Sequence, residues 1–363
     1  MASKPLRACI IVCLLAYGCV SLISRAPGHD CRTARAKEEL SLSIPQAART
    51  VTNSEVHVLS SKSTLSGTSN NACAYSASPS DGKTFPAKVL DTSFDIVVYH
   101  ADSINDLVSD QIKSNGAWEK QATEHLMNLM PCSGVSCSQK VFVDVGANIG
   151  WFSLTALHLG YTVVAFEPFK RNVELLCESL KTVRPHLLER FRLYNLGLDF
   201  TTRNCELFQE AKVNIGDTHS VCDEAMRASI IEGGYESLGW MNTTTLDAAV
   251  NNGLFDLINH IDIMKIDVEG FEHAVIDGGN SFFTSQFAPR FLYIELVSAM
   301  MGNAGGMKDR GAHRLDSVLL KLANYGYEFA RNDLGNAKIS LQISPLEQVR
   351  NFVDGKTVLF ARQ

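Results

Sequence analysis

Val141-Phe142-Val143-Asp144-Val145-Gly146-Ala147-Asn148-Ile149-Gly150 is the stretch on which the fold turns. Its first five residues form an apolar run broken only by Asp144, the pattern of a strand buried on both faces. Gly146 and Gly150 then permit a tight turn and a close approach of the backbone to a ligand. Trp151 to Gly160 continues at helical spacing, with Phe152, Thr155, Ala156 and Leu159 on one face. Thr162 to Phe166 reads as a second buried strand ending in Glu167-Pro168, Asn172 to Leu180 as a second helix, and Phe191 to Leu196 as a third strand. This alternation predicts an α/β fold with a parallel sheet and right-handed crossovers.

The same reading extends in both directions. Downstream, Thr243 to Asp247 opens a helix with Thr245 as its expected N-cap. Ile261 to Val268 is a further buried strand ending in Glu269-Gly270, and Phe291 to Leu296, which carries Glu295, is the next. Tyr327–Ala330 and Thr357–Phe360 are expected to close the sheet as a hairpin-like pair, giving about seven strands in one doubly wound domain. Upstream, Phe94–Tyr99 reads as a strand, and Asp102 to Met130 has helical spacing broken near Asn115-Gly116.

In an open α/β sheet, ligands bind beyond the carboxyl ends of the strands at the switch point. Glu167 lies 21 residues after Gly146, where an acid can accept both hydroxyls of a ribose. The turn does not follow the dinucleotide pattern G-x-G-x-x-G, because Asn148 takes the second glycine's place and no third falls in register. Asp144 would also repel a phosphate. A carboxylate here suits a cationic ligand, and S-adenosylmethionine carries an ammonium and a sulfonium with no phosphate. On charge alone it fits better than a nicotinamide dinucleotide.

Val141–Gly150 (VFVDVGANIG), Ala165–Phe169 (AFEPF), Thr244–Asp247 (TTLD) and Ile263–Glu272 (IMKIDVEGFE) resemble, in order, the motifs of the FkbM family of S-adenosylmethionine-dependent methyltransferases. Gly116–Glu119 and Tyr293–Leu296 also look like family positions, and the resemblance spans roughly 94–363. It implies a class I methyltransferase (Rossmann-like) fold, doubly wound on a mostly parallel seven-stranded sheet, and O-methylation of a hydroxyl. Carried over by position, Asp144, Gly146, Ala147, Asn148 and Gly150 match the cofactor turn. Glu167 and Pro168 match the ribose-binding end of the second strand. Asp267 and Glu269 match an acidic block facing the methyl-transfer centre. The segment from Leu198 to Tyr235 departs most from the family pattern.

A hydroxyl that attacks a methyl group must lose its proton, so a general base is expected. Asp267 and Glu269 would share a face if their strand ran through both, and crowding would raise one of their pKa values. They are the expected catalytic pair, with Glu295 and His273 as alternates. Plainer roles compete: Asp267 as a brace for the turn before Gly270, His273 as an ordinary helix-face residue, Glu295 as the ion-pair partner of Lys265, and Trp118-Glu119 as packing and capping. No His/Asp/Glu spacing argues for a metal.

The 363 residues carry 33 Lys plus Arg against 39 Asp plus Glu, a net charge of −6, which disfavours a nucleic-acid partner. Ala8 to Ser24 is an uncharged run of 17 residues, preceded by Lys4 and Arg7 and followed by Arg25. It reads as a type II signal-anchor, with a cleaved signal peptide and secretion as the alternative. Thr50 to Thr84 holds 14 Ser/Thr in 35 residues, the composition of a disordered stem. The expected layout is therefore a cytoplasmic tail and anchor at 1–25, a stem at 26–85 and the methyltransferase domain at 86–363, lumenal in the Golgi or endoplasmic reticulum. The acceptor would be a glycan or another secreted hydroxyl compound, with a lipid or small metabolite as the alternative. None of the ten cysteines forms a CxxC pair. Cys132–Cys137 and Cys205–Cys222 are the disulfides to expect in an oxidising lumen, with reduced thiols the alternative. Asn242-Thr243-Thr244 is a glycosylation sequon whose place beside a folded element weighs against occupancy. A methyltransferase-fold scaffold without catalysis and a nucleotide-dependent oxidoreductase are the competing functions.

Overall fold

The computed structural model describes residues 71–74, 79–100, 104–130, 134–210, 218–303, 310–332 and 337–362. These fall within one unit, Leu65–Gln363. The expected anchor and most of the expected stem lie outside the described residues. Among the described residues no helix is long and apolar enough to cross a membrane.

Fourteen strands are formed by the described residues. A hairpin of β1 (Gly82–Val89) and β2 (Thr92–Tyr99) opens the fold. The central sheet takes β3 (Val141–Val145), β4 (Thr162–Phe166) and β5 (Phe191–Tyr194) on one side. A second sheet interrupts the chain with β6 (Gly197–Leu198), β7 (Asn204–Glu210), β8 (Thr218–Val221) and β9 (Tyr235–Thr244). The central sheet resumes with β10 (Ile263–Ile266), β11 (Phe291–Leu296), β12 (Tyr327–Asn332), β13 (Lys338–Ser340) and β14 (Lys356–Arg362).

The central sheet has the order β13-β12-β14-β11-β10-β3-β4-β5. It is parallel from β5 to β11, and β14 inserts antiparallel between β11 and β12. Instead of about seven strands in one sheet, there are eight strands in a mixed central sheet, with the hairpin and the four-stranded sheet beside it. The terminal pair is also more than a hairpin, because helix Leu346–Val353 and β13 lie between β12 and β14.

Alternation along the strands divides the core into two layers. Val141, Val143 and Val145 pack with Met264, Ile266, Leu292 and Ile294 against helices Glu272–Asp277, Gly311–Asn324 and Leu346–Val353. Phe142 faces the other way with Ile263 and Tyr293, into the layer that holds helices Trp151–His158 and Lys170–Leu180. Helix Trp151–His158 is buried almost all round, not on one face, because β2 covers its outer side and Phe94 stacks on His158. Fold signals thus begin earlier than Phe94. Short helix Asn71–Ala74 carries Cys73, which is bonded to Cys177, and β1 starts at Gly82, both inside the span 26–85. The expected Cys205–Cys222 bond is present, whereas Cys137 is free and buried. Cys132, its expected partner, lies outside the described residues.

Candidate functional site

The site grows from the carboxyl ends of β3 and β10, where the crossovers on the two sides of the sheet diverge. Register makes the arrangement. Lys265 on β10 pairs with Asp144 on β3 and with Tyr293 on β11. These three side chains share one face. Two residues on, the same face carries Gly146, Asp267 and Glu295, and Asp267 N extends the ladder by donating to Val145 O at 3.0 Å.

Lys265 is the buried centre of this row. Its Nζ lies 3.1 Å from Asp267 Oδ2 and 3.7 Å from Asp144 Oδ1, donates to Gly146 O at 3.2 Å, and sits over the Phe152 ring. Burial works against its charge, but Asp267 and Asp144 outweigh that and push its pKa up. Asp144 is fully buried and accepts from Ser153 Oγ at 2.7 Å through Oδ2. Its Oδ1 has no hydrogen-bond partner. Burial raises the Asp144 pKa, with the Lys265 charge opposing. The expected Glu295–Lys265 ion pair is therefore replaced by pairs with the two aspartates, which register places closer.

The turn after β3 is held by the chain itself. Gly146 and Ala147 both donate to Phe166 O, at 3.0 Å each. Gly146 has φ +81°, and a Cβ there would stand 1.8 Å from Asp267 O. At Gly150 (φ +93°) a Cβ would stand 2.3 Å from Leu176 Cδ1. The close approaches that demand glycine are thus to strand β10 and to a core leucine. Asn148 is left-handed at φ +51°, and its Oδ1 accepts from Ile149 N at 2.7 Å.

Glu167 closes the turn from β4. Its Oε2 accepts from Asn148 N at 2.7 Å and its Oε1 from Phe169 N at 2.8 Å. Burial raises its pKa to about 7 against these hydrogen bonds. Asn195 Nδ2 fixes the backbone beneath by donating to Glu167 O and Pro168 O, both at 2.9 Å. The seven residues expected at the cofactor turn thus meet at the ends of β3 and β4. Glu167 Oε1 also accepts from Asn172 Nδ2 at 3.4 Å, whereas Oε2 keeps a second lone pair that a hydroxyl can use.

The expected catalytic pair is separated. Strand β10 ends at Ile266, and Glu269 turns left-handed at φ +54°, so Asp267 and Glu269 do not share a strand face. The brace for this turn is Glu272, which the sequence reading passed over. Its Oε1 accepts from Val268 N at 3.0 Å and Gly270 N at 3.2 Å, and burial raises its pKa to about 7. An acid two to four residues past an acidic strand end was the available signal. Glu295 takes the place beside Asp267. Burial, together with the charges of Asp267 and Glu272, raises its pKa to about 8. Glu119, left-handed at φ +39°, lies near enough for its charge to act on both Lys265 and Glu295. His273 is held by Gly270 O, and burial lowers its pKa to about 4. Among the described residues, potential metal-ligand atoms gather at Asp199, Cys205 and Cys222, but both sulfurs are bonded to each other.

Chemically, Glu167 is a hydrogen-bond acceptor beside the Gly146–Gly150 turn, and Glu295 is a carboxyl whose raised pKa lets it exchange a proton near neutral pH. The Methyltransferase FkbM domain matches residues 144–329, over half of the 363-residue chain. No curated protein matches the chain. Among solved structures, the chain is similar to a TehB-like SAM-dependent methyltransferase from Corynebacterium glutamicum, at 9% identity and TM-score 0.33, over 70% of this chain and 94% of that one. It is similar to a T. thermophilus 16S rRNA N2 G1207 methyltransferase in complex with AdoMet and guanosine, at 13% identity and TM-score 0.35, over 78% and 51% of the two chains. It is also similar to a SAM-dependent methyltransferase from Agrobacterium tumefaciens, at 11% identity and TM-score 0.33, over 78% and 70%.

Proposed function

The chain belongs to the FkbM methyltransferase domain family, and from that premise we propose that it transfers a methyl group from S-adenosylmethionine to the hydroxyl of a glycan or small secreted compound. The observation that carries this reading is the pairing of two half-sites across β3 and β10. Glu167 and the Gly146–Gly150 turn lie on one side, and Asp267 and Glu295 beside Lys265 lie on the other.

The donor set suits the cofactor. The carboxyls of Glu167 and Asp144 lie buried at the turn, and the ammonium beside them, that of Lys265, is paired with Asp144 and Asp267. This cluster of carboxyls favours a cation and disfavours a dinucleotide's pyrophosphate. Glu167 would hold the ribose, and the 146–150 turn would line the rest. S-adenosylmethionine supplies a methyl carbon already activated by its sulfonium.

The remaining work is alignment and proton removal. In this reading the Asp267 carboxylate, paired with Lys265, accepts a hydrogen bond from the acceptor hydroxyl. Glu295 takes the hydroxyl proton, a role supported by its pKa, raised to about 8. Two disulfides within the domain and the apolar N-terminal run support a lumenal domain on a type II anchor.

The test is thermal unfolding of the full chain with S-adenosylmethionine, S-adenosylhomocysteine and NAD. Binding to the native state stabilises by about 2.7 kcal/mol at 100 times Kd. A rise with the first two alone is expected. No rise with any of them in a folded chain points instead to a scaffold that has kept the fold.

A further inference from the structure

Asn242-Thr243-Thr244 is the only Asn-x-Ser/Thr sequence in the chain, and it ends β9. The folded neighbourhood does not bury its asparagine. Thr243 and Thr244 are buried, whereas Asn242 is exposed on the strand. The backbone is anchored around it, with Thr243 N donating to Arg203 O at 2.8 Å. The Asn242 carboxamide forms no hydrogen bond with the described residues. The cross-strand neighbour of Asn242 is the exposed Asn204. Along this face Glu206, the cross-strand neighbour of Trp240, pairs with Arg227 of helix Glu224–Glu232.

A second, independent feature lies two residues upstream. Trp240 is 64% exposed, the largest apolar side chain left open on the described surface. Strand periodicity puts Trp240 and Asn242 on one face. The face of an indole ring is electron-rich and suits the polarised C–H groups of a sugar.

We propose that Asn242 is N-glycosylated and that the first sugar of the glycan covers the Trp240 indole. This rests on the lumenal reading above. The donor is a lipid-linked oligosaccharyl diphosphate presented by a membrane oligosaccharyltransferase. The Asn242 amide nitrogen forms a bond to the anomeric carbon and loses one proton. The anomeric C–O bond breaks, and the lipid diphosphate leaves with the electron pair. Transfer to the emerging chain precedes folding, so burial of Thr243 and Thr244 in the finished sheet does not oppose it.

The experiment uses the full chain in a eukaryotic secretory host, with a reporter tag carrying its own sequon after Gln363. The expected result is an endoglycosidase-sensitive mobility shift at Asn242 that Asn242→Gln removes while the tag stays modified. A modified tag with a bare Asn242 overturns the proposal and leaves the lumenal reading standing. A bare tag and a bare Asn242 overturn both. On the purified glycoprotein, deglycosylation should raise acrylamide quenching of tryptophan fluorescence in the wild type and not in Trp240→Phe. Equal quenching before and after overturns the sugar–indole contact.

Discussion

Asn148 N donates to Glu167 Oε2 at 2.7 Å, so the acid proposed to bind a ribose also holds the glycine turn in shape. The two duties respond differently to protonation. A neutral carboxyl can still accept from the Asn148 and Phe169 amides, but it is the weaker acceptor for two ribose hydroxyls. With the Glu167 pKa raised to about 7 by burial, S-adenosylhomocysteine affinity should fall as pH drops below 7, by at most about tenfold per unit. Titration calorimetry between pH 5.5 and 8.5, ranges chosen to span that pKa by about a unit or more on each side, checks this. In Glu167→Gln the dependence should vanish and affinity should be low throughout. A wild-type affinity flat in pH would remove Glu167 from the ribose site.

The raised carboxyls also set how stability follows pH. Glu272 is buried and its pKa stands near 7, above the ordinary 4.5. A folded-state pKa above the unfolded one means the native state holds the proton more tightly. The stabilisation is then complete below the unfolded value and is lost as pH rises through about 7. Each such group contributes a slope of up to about 1.4 kcal/mol per pH unit inside its window. Urea unfolding at pH 5 and pH 8, roughly the edges of that window, should show the chain weaker at the higher value. Glu272→Gln should flatten the profile while keeping one acceptor for Val268 N and Gly270 N.

Lys265 and Asp144 should behave as a unit. Removing the ammonium leaves Asp144 as a buried charge without its counter-ion, so Lys265→Met should cost about 3–5 kcal/mol. Adding Asp144→Asn removes the orphan charge, and the double variant should recover much of the loss. Activity should not return, because Asp267 has lost the partner 3.1 Å away that fixes it. Additive stability losses measured by denaturant melts would show the two residues to be uncoupled.

The sequence made the ligand-facing half of this site legible and hid the rest for physical reasons. Strands β3, β4 and β11 are buried on both faces and so read as apolar runs, and the turn and Glu167 follow at fixed distances from them. The hairpin was hidden because β1, GKTFPAKV, carries two exposed lysines and an exposed proline, which break its apolar alternation. Strand β7, NCELFQE, is polar because Glu206 is buried against Arg227 and Ser237, a pairing between distant residues. Lys265 read as a partner for Glu295 by adjacency of strands. The register that gives it to Asp144 and Asp267 is a tertiary fact. Asp267 and Glu269 read as a pair only for a strand that kept going, and the left-handed Glu269 ends it.

Gly146 and Gly150 differ in what stands in the way of a side chain, and that difference can be measured. Both have positive φ, which costs an alanine about 1–2 kcal/mol. At Gly146 the obstacle is the Asp267 carbonyl, 1.8 Å from the added Cβ. That carbonyl belongs to a backbone held by the ladder between β3 and β10, so relief requires the strands to part. At Gly150 the obstacle is Leu176 Cδ1 at 2.3 Å, the end of a side chain that can turn or be shortened. Gly146→Ala should therefore cost about 3 kcal/mol or more and abolish S-adenosylhomocysteine binding, with no compensating change nearby. Leu176→Ala alone should cost about 2–5 kcal/mol for its cavity. Combined with Gly150→Ala, it should cost at least about 1 kcal/mol less than the sum of the two single losses. Strict additivity in that cycle would mean that Gly150 is required by something other than Leu176.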